Sequence, residues 1–90
     1  YRRLIAVMGF SNDKDIKSIS EIINPLSDKI ILTKSQSEKA AEPEAIKKYF
    51  DNRAIIINSP KDALNCARKI AEKNDLILAA GSIYMVGEII

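Results

Sequence analysis

Histidine and tryptophan are absent from this 90-residue sequence, cysteine occurs once, and glycine and proline occur three times each. Without histidine no His-containing zinc site can form, and the lone Cys66 cannot close an internal disulfide. A reducing, cytoplasmic setting is therefore expected, with Cys66 packed inside a helical segment. Long apolar runs are missing too: the apolar content is 47%, but charges interrupt it before any stretch could span a membrane. No excess of one charge stands out. Residues 1–50 carry 9 cations against 7 anions and residues 51–90 carry 5 against 5, which argues against a nucleic-acid partner held through phosphate neutralisation. Neither G-x-x-x-x-G-K-[ST] nor G-x-G-x-x-G occurs, so this stretch has no phosphate loop of its own. There is no internal repeat and no leader-like segment, and a chain opening on Tyr1 rather than methionine reads as a piece of a longer one.

What is present is an alternation. LIAVMGF (4–10), KIILT (29–33), AIIINS (54–59) and DLILAA (75–80) are short, nearly continuous apolar runs, the pattern of strands buried on both faces. Ile5, Val7, Ile31, Ile56, Ile77 and Leu78 are the expected core positions. Between the runs lie helical stripes: Ile16, Ile19, Ile22, Ile23 and Leu26; Ala45, Ile46, Tyr49 and Phe50; Ala63, Leu64, Ala67, Ile70 and Ala71. Asn24-Pro25 is expected to end the first helix, and Ser59-Pro60 to cap the third. The segment after Gly81-Ser82 is expected to open a fourth helix. The whole of residues 1–90 thus reads as a single α/β domain: an open, predominantly parallel four-stranded sheet with helices on both faces. Residues 34–42 form the one long polar connection, expected to be a mobile loop.

In such sheets ligands gather beyond the carboxyl ends of the strands. Two loops there carry chemistry. In GFSNDKD (9–15) a strand-end glycine is followed by Ser11, Asn12 and Asp13 as candidate caps, then by Lys14 between two acids. Lys14 is either a solvated lysine at a capped helix start or a cation placed to hold a carboxylate or phosphate. In GSIY (81–84), Gly81 permits a sharp turn, and Ser82 either caps a helix or turns its hydroxyl and amide toward an anion. Tyr84 either packs on the sheet or presents its hydroxyl.

IAVMGFSNDKDI (5–16) and DLILAAGSIYMVGEI (75–89), in this order and at these strand ends, resemble the C-terminal domain of folylpolyglutamate synthases and bifunctional dihydrofolate synthases of the Mur ligase superfamily. The resemblance covers essentially the whole chain. It implies an ATP-dependent ligase that activates a pteroate or folate carboxyl as an acyl phosphate and joins L-glutamate to it. ATP and Mg would be bound mainly in a missing N-terminal domain, with this domain closing over it as a glutamate-binding lid. By matching position, Lys14 and Ser82 are implied glutamate-carboxylate contacts, and Asp13, Asp15 and Tyr84 occupy further motif positions in the substrate-binding set; no catalytic or metal residue is implied. The Asp-Gly-Ala-His-Asn stretch that relatives carry upstream is not in this sequence, so the chain alone is expected to be inactive. Relatives often have Arg-Ala where this sequence has Lys39-Ala40, and a lysine lacks the planar fork, so Lys39 is assigned no nucleotide contact. The alternative is a non-catalytic α/β module binding a small anion or a protein partner through the same loops or helix faces.

Overall fold

The computed structural model describes residues 1–12, 14–35, 38–50, 54–80 and 85–89. Four strands, β1 (Leu4–Met8), β2 (Lys29–Leu32), β3 (Ala54–Ile56) and β4 (Leu76–Ala80), fall on the four apolar runs. They lie parallel in the order β3-β2-β1-β4, so the chain moves outward in one direction from β1 and then returns to its other side. A fifth strand, β5 (Met85–Ile89), adds antiparallel to β4.

Alternation of side chains along the strands makes two cores. On one face Ala6, Met8, Ile30 and Leu32 pack under α1 (Ile16–Leu26), which presents Ile16, Ile19 and Ile23, and under the segment ending in Tyr49 and Phe50. On the other, Ile5, Val7, Ile31 and Ile77 pack under Ala63 and Ala67 of α3 (Pro60–Ile70). Helices therefore cover both faces. The hydroxyl of Ser59 accepts the Asp62 N–H at 3.3 Å, and Pro60 stands at the first helical position, as the sequence indicates.

Four local expectations are corrected. The segment expected to be a fourth helix is strand β5, which makes the sheet five-stranded. Gly87 would cost a helix interior about 1 kcal/mol, whereas antiparallel pairing occupies the open edge of β4. α1 does not stop at Asn24 but carries Pro25 in its last turn, closed by the Ser27 N–H donating to the Ile23 carbonyl at 3.1 Å. The second helix is one α-turn, α2 (Pro43–Ile46), tightened into a 3-10 turn (Lys47–Tyr49) that brings Phe50 against Phe10 with ring centroids 6.0 Å apart. Of the expected core positions, Ile5, Val7, Ile31 and Ile77 are buried, while Ile56 and Leu78 are half-buried. Ile56 lies on the edge strand, and Leu78 stands opposite Gly87, which has no side chain to cover it.

The amino-terminal ends of the strands are tied by polar bonds. Asp28 accepts the Leu4 N–H at 2.8 Å and returns its own N–H to the Leu4 carbonyl at 2.8 Å, which fixes β1 against β2. Arg3 donates through Nε at 3.0 Å and Nη2 at 2.6 Å to Oδ2 of Asp75, a fully buried carboxylate just before β4. That oxygen also accepts the Glu72 N–H at 2.8 Å.

Candidate functional site

The strand order reverses between β1 and β4, the switch point outside which open α/β sheets form a ligand crevice. Met8 pairs with Ala80, and the Gly9 N–H donates to the Ala80 carbonyl at 3.0 Å. The two loops singled out in the sequence therefore leave the sheet from adjacent strand ends, the position where open α/β sheets bind ligands. Gly9 is needed there for close approach: a Cβ would meet the Ser35 amide nitrogen at 3.3 Å and Thr33 at 3.4 Å. Thr33 in turn donates through Oγ1 to the Asn58 carbonyl at 3.1 Å, so the ends of β1, β2 and the approach to α3 are laced together.

From Gly9 the chain passes through Phe10 and Ser11, both buried, into a tight double turn. The Lys14 N–H donates to the Ser11 carbonyl at 3.2 Å, and the Ile16 N–H donates to the Lys14 carbonyl at 3.0 Å. The second bond spans only Lys14 to Ile16. Its central residue, Asp15, has φ −79° and ψ 80°, an inverse γ-turn geometry. The Lys14 side chain is exposed at this turn, and no described side chain engages its ammonium.

Asp15 is the α1 cap, rather than Ser11, Asn12 or Asp13, which the sequence offered. Its Oδ1 accepts the Ser18 N–H at 3.3 Å, and its Oδ2 accepts the Ser18 hydroxyl at 2.7 Å. The hydroxyl bond first, and the amide bond second, hold the Asp15 carboxyl below its ordinary value of 3.8, against a smaller opposing effect of desolvation. Ser18 went unnoticed in the sequence, although an acid three residues before a serine at a helix start signals such a pair. Asp13, Ser82 and Tyr84 lie outside the described residues, as does Gly81.

The polar connection 34–42, expected to be a mobile loop, is tied to the β1–α1 loop at several of its described residues. Among its described residues, the Lys39 carbonyl accepts the Asn12 N–H at 2.7 Å, the Ala41 N–H donates to Phe10 at 2.8 Å, and Ser11 and Ala40 form an antiparallel bridge. Lys34 and Glu42 close its base with an ion pair at 2.7 Å. This connection braces the turn that carries Lys14.

The donor set here does not fit a nucleotide with its magnesium. The β1–α1 turn lacks the glycine-lysine-hydroxyl order of a phosphate loop, the start of α1 is occupied by the chain's own carboxylate, and no three His, Cys, Asp or Glu side chains converge among the described residues. No described helix is long and apolar enough to cross a membrane.

Comparison with known proteins identifies the family and the fold. The family model described as Mur ligase, glutamate ligase domain, matches residues 1–83. A dihydrofolate synthase/folylpolyglutamate synthase of Haemophilus influenzae is 34% identical over 91 aligned positions, covering 96% of this chain and 21% of that protein. The structure of E. coli FolC in complex with ADP superposes with a TM-score of 0.81 at 25% identity, covering 89% of this chain and 19% of that one. A bifunctional folylpolyglutamate synthase/dihydrofolate synthase structure with Mn, AMPPNP and L-glutamate bound shares the fold at a TM-score of 0.77 and 18% identity, over 88% of this chain and 19% of that one. The chain spans about a fifth of the length of the relatives it matches. With the family model matching nearly the whole sequence, and with its relatives being folylpolyglutamate and dihydrofolate synthases, the chain belongs to the Mur ligase family as a glutamate ligase domain.

Proposed function

We propose that this chain is the glutamate-binding lid of an ATP-dependent ligase that adds L-glutamate to a pteroate or folate carboxyl activated as an acyl phosphate. One observation carries the reading: the exposed Lys14 stands on the braced loop that leaves β1, and the end of β1 pairs with the end of β4, the strand that runs into Gly81-Ser82 in the sequence. A carboxylate that loses water on entering the crevice needs a compensating charge and hydrogen bonds, and Lys14 supplies the charge. Ser82, Asp13 and Tyr84 complete the substrate-binding set in this proposal. The relatives' names, and the neighbour that holds L-glutamate beside a nucleotide analogue, support it. ATP and Mg are handled by the N-terminal domain of the parent enzyme, in the cytoplasm. This domain closes with the amino acid and keeps water from the activated carboxyl.

The test is steady-state kinetics of the full-length ligase. Losing one charge-assisted hydrogen bond corresponds to roughly tenfold to a hundredfold in apparent affinity, so Lys14→Met should raise the glutamate KM by that factor while leaving the KM for ATP within about twofold. Wild-type glutamate kinetics in a normally folded variant would remove Lys14 from the site.

A further inference from the structure

The Lys14 turn owes its shape to a side chain that itself faces the helix. We infer that Asp15 is a positioning residue, acting through its cap on α1 to aim Lys14, and that its carboxylate makes no contact with the bound amino acid. This deepens the proposed glutamate site and rests on that reading. Both carboxylate oxygens are already engaged by Ser18, one by its N–H and one by its hydroxyl, and the Asp15 carbonyl accepts the Ile19 N–H at 3.2 Å. The same residue is the centre of the inverse γ-turn that directs the Lys14 carbonyl onto Ile16. Asp15 thus joins two constraints in one residue: its backbone sets the orientation of the Lys14–Asp15 peptide, and its side chain locks that backbone to the first turn of α1.

The inverse γ-turn at Asp15, closed by the Ile16 N–H on the Lys14 carbonyl, is one of several turns open to a loop start, and bonds on either side select it here. On the amino-terminal side the fixing comes from the bonds of Ser11 and Asn12 to the 39–40 segment. On the carboxyl-terminal side it comes from the Asp15–Ser18 pair. With the cap removed, ψ of Asp15 relaxes, the preceding peptide rotates, and the Lys14 Cα–Cβ direction turns with it. The lysine then samples a wider arc, and a larger fraction of its conformers point away from the crevice. A loss of occupancy of this kind weakens glutamate binding and leaves turnover at saturation intact.

The experiment compares Asp15→Ala, Asp15→Asn and Asp15→Ser in the full-length ligase, alone and on a Lys14→Met background. Asparagine and serine cap helices about as well as aspartate, and asparagine does so without charge. Asp15→Ala should raise the glutamate KM by up to about fivefold, the limit reached if the whole of the cap's ~1 kcal/mol goes into orienting Lys14, with kcat within about twofold. Asp15→Asn and Asp15→Ser should return the KM to within about twofold of wild type, and Asp15→Ala should add nothing once Lys14 is methionine. If Asp15→Asn is as impaired as Asp15→Ala, the charge itself meets the substrate and the inference is overturned. Additive effects of Asp15→Ala and Lys14→Met overturn it as well, and so does a wild-type KM for Asp15→Ala. A Lys14→Met enzyme with unchanged glutamate KM overturns the site reading and this inference together, which separates that failure from the failure of the inference alone.

Discussion

Asp75 and Asp15 are both aspartates held in the charged form, yet they stand at opposite ends of the sheet and answer for different things. Asp75 is fully buried at the amino-terminal edge, and its carboxyl lies below the ordinary 3.8, first because Arg3 donates to it and next because the Glu72 N–H does, with burial opposing both. A carboxylate whose folded-state pKa is depressed contributes stability that is fully present above the ordinary aspartate range and disappears as pH falls through the folded value. In that acid window the unfolded chain binds more protons, so stability must rise with pH. Asp75→Asn should therefore lower the melting temperature at neutral pH by more than about 5 °C, because a buried, charge-paired acceptor is replaced by an amide and Arg3 keeps only the exposed Glu72 carboxylate at 3.9 Å. It should also flatten the fall in melting temperature between pH 5 and about pH 2. Thermal melts of both proteins across that range check this, and parallel acid profiles would show that the Arg3–Asp75 pair is not what acid breaks.

At the scale of elements, Gly9 shows why the carboxyl edge holds together. The strand-end residues Thr33 and Ser35 pass so close that a Cβ at position 9 needs them to give by a few tenths of an ångström, and Thr33 is itself pinned to Asn58. Gly9→Ala should cost stability on the order of 1 to 3 kcal/mol, the range for overpacking a fixed site, and should loosen the 33–35 backbone before any other segment. Hydrogen exchange at Thr33 and Lys34, whose N–H groups donate to Met8 and Asn58, reads this directly. Unchanged exchange there would show that the loop yields freely. How far these elements can be read from sequence follows from what each depends on. The four parallel strands are legible because continuous apolar runs reflect burial on both faces, and α3 is legible because Ser59-Pro60 is a local cap. The C-terminal segment is not, since Met85–Ile89 has apolar residues at both helical and strand spacings, and its state turns on whether the edge of β4 is left to be filled. The turn at Lys14 is half legible. The lysine and its flanking acids are visible, but the bracing by Lys39–Ala41 is a pairing of backbone groups some 28 residues apart and leaves no trace in residue type.

For the whole molecule, the two ends of the sheet divide the work. The amino-terminal edge is closed by Asp28, Arg3 and Asp75, which register β1 against β2 and β4, while at the carboxyl edge the ends of β1 and β4 lie side by side and the loop after β1 carries the exposed Lys14. The sequence contains no phosphate loop, and among the described residues no three His, Cys, Asp or Glu side chains converge, in keeping with the proposal that nucleotide chemistry belongs to another domain. This chain covers about a fifth of the length of the relatives it matches. A lid that binds only the incoming amino acid has a clear physical use, because an activated carboxyl is destroyed by water and gains from meeting its nucleophile only when the site closes. The 90-residue chain by itself should accordingly fold, with cooperative melting, and yet neither hydrolyse ATP nor join L-glutamate to a folate. The check is a coupled ADP-release assay on the purified chain with Mg, ATP, dihydropteroate or folate, and glutamate, run beside the full-length ligase. ADP release that rises in proportion to this chain, and survives removal of contaminating ATPases, would place nucleotide chemistry within these residues and end the division of labour proposed for them.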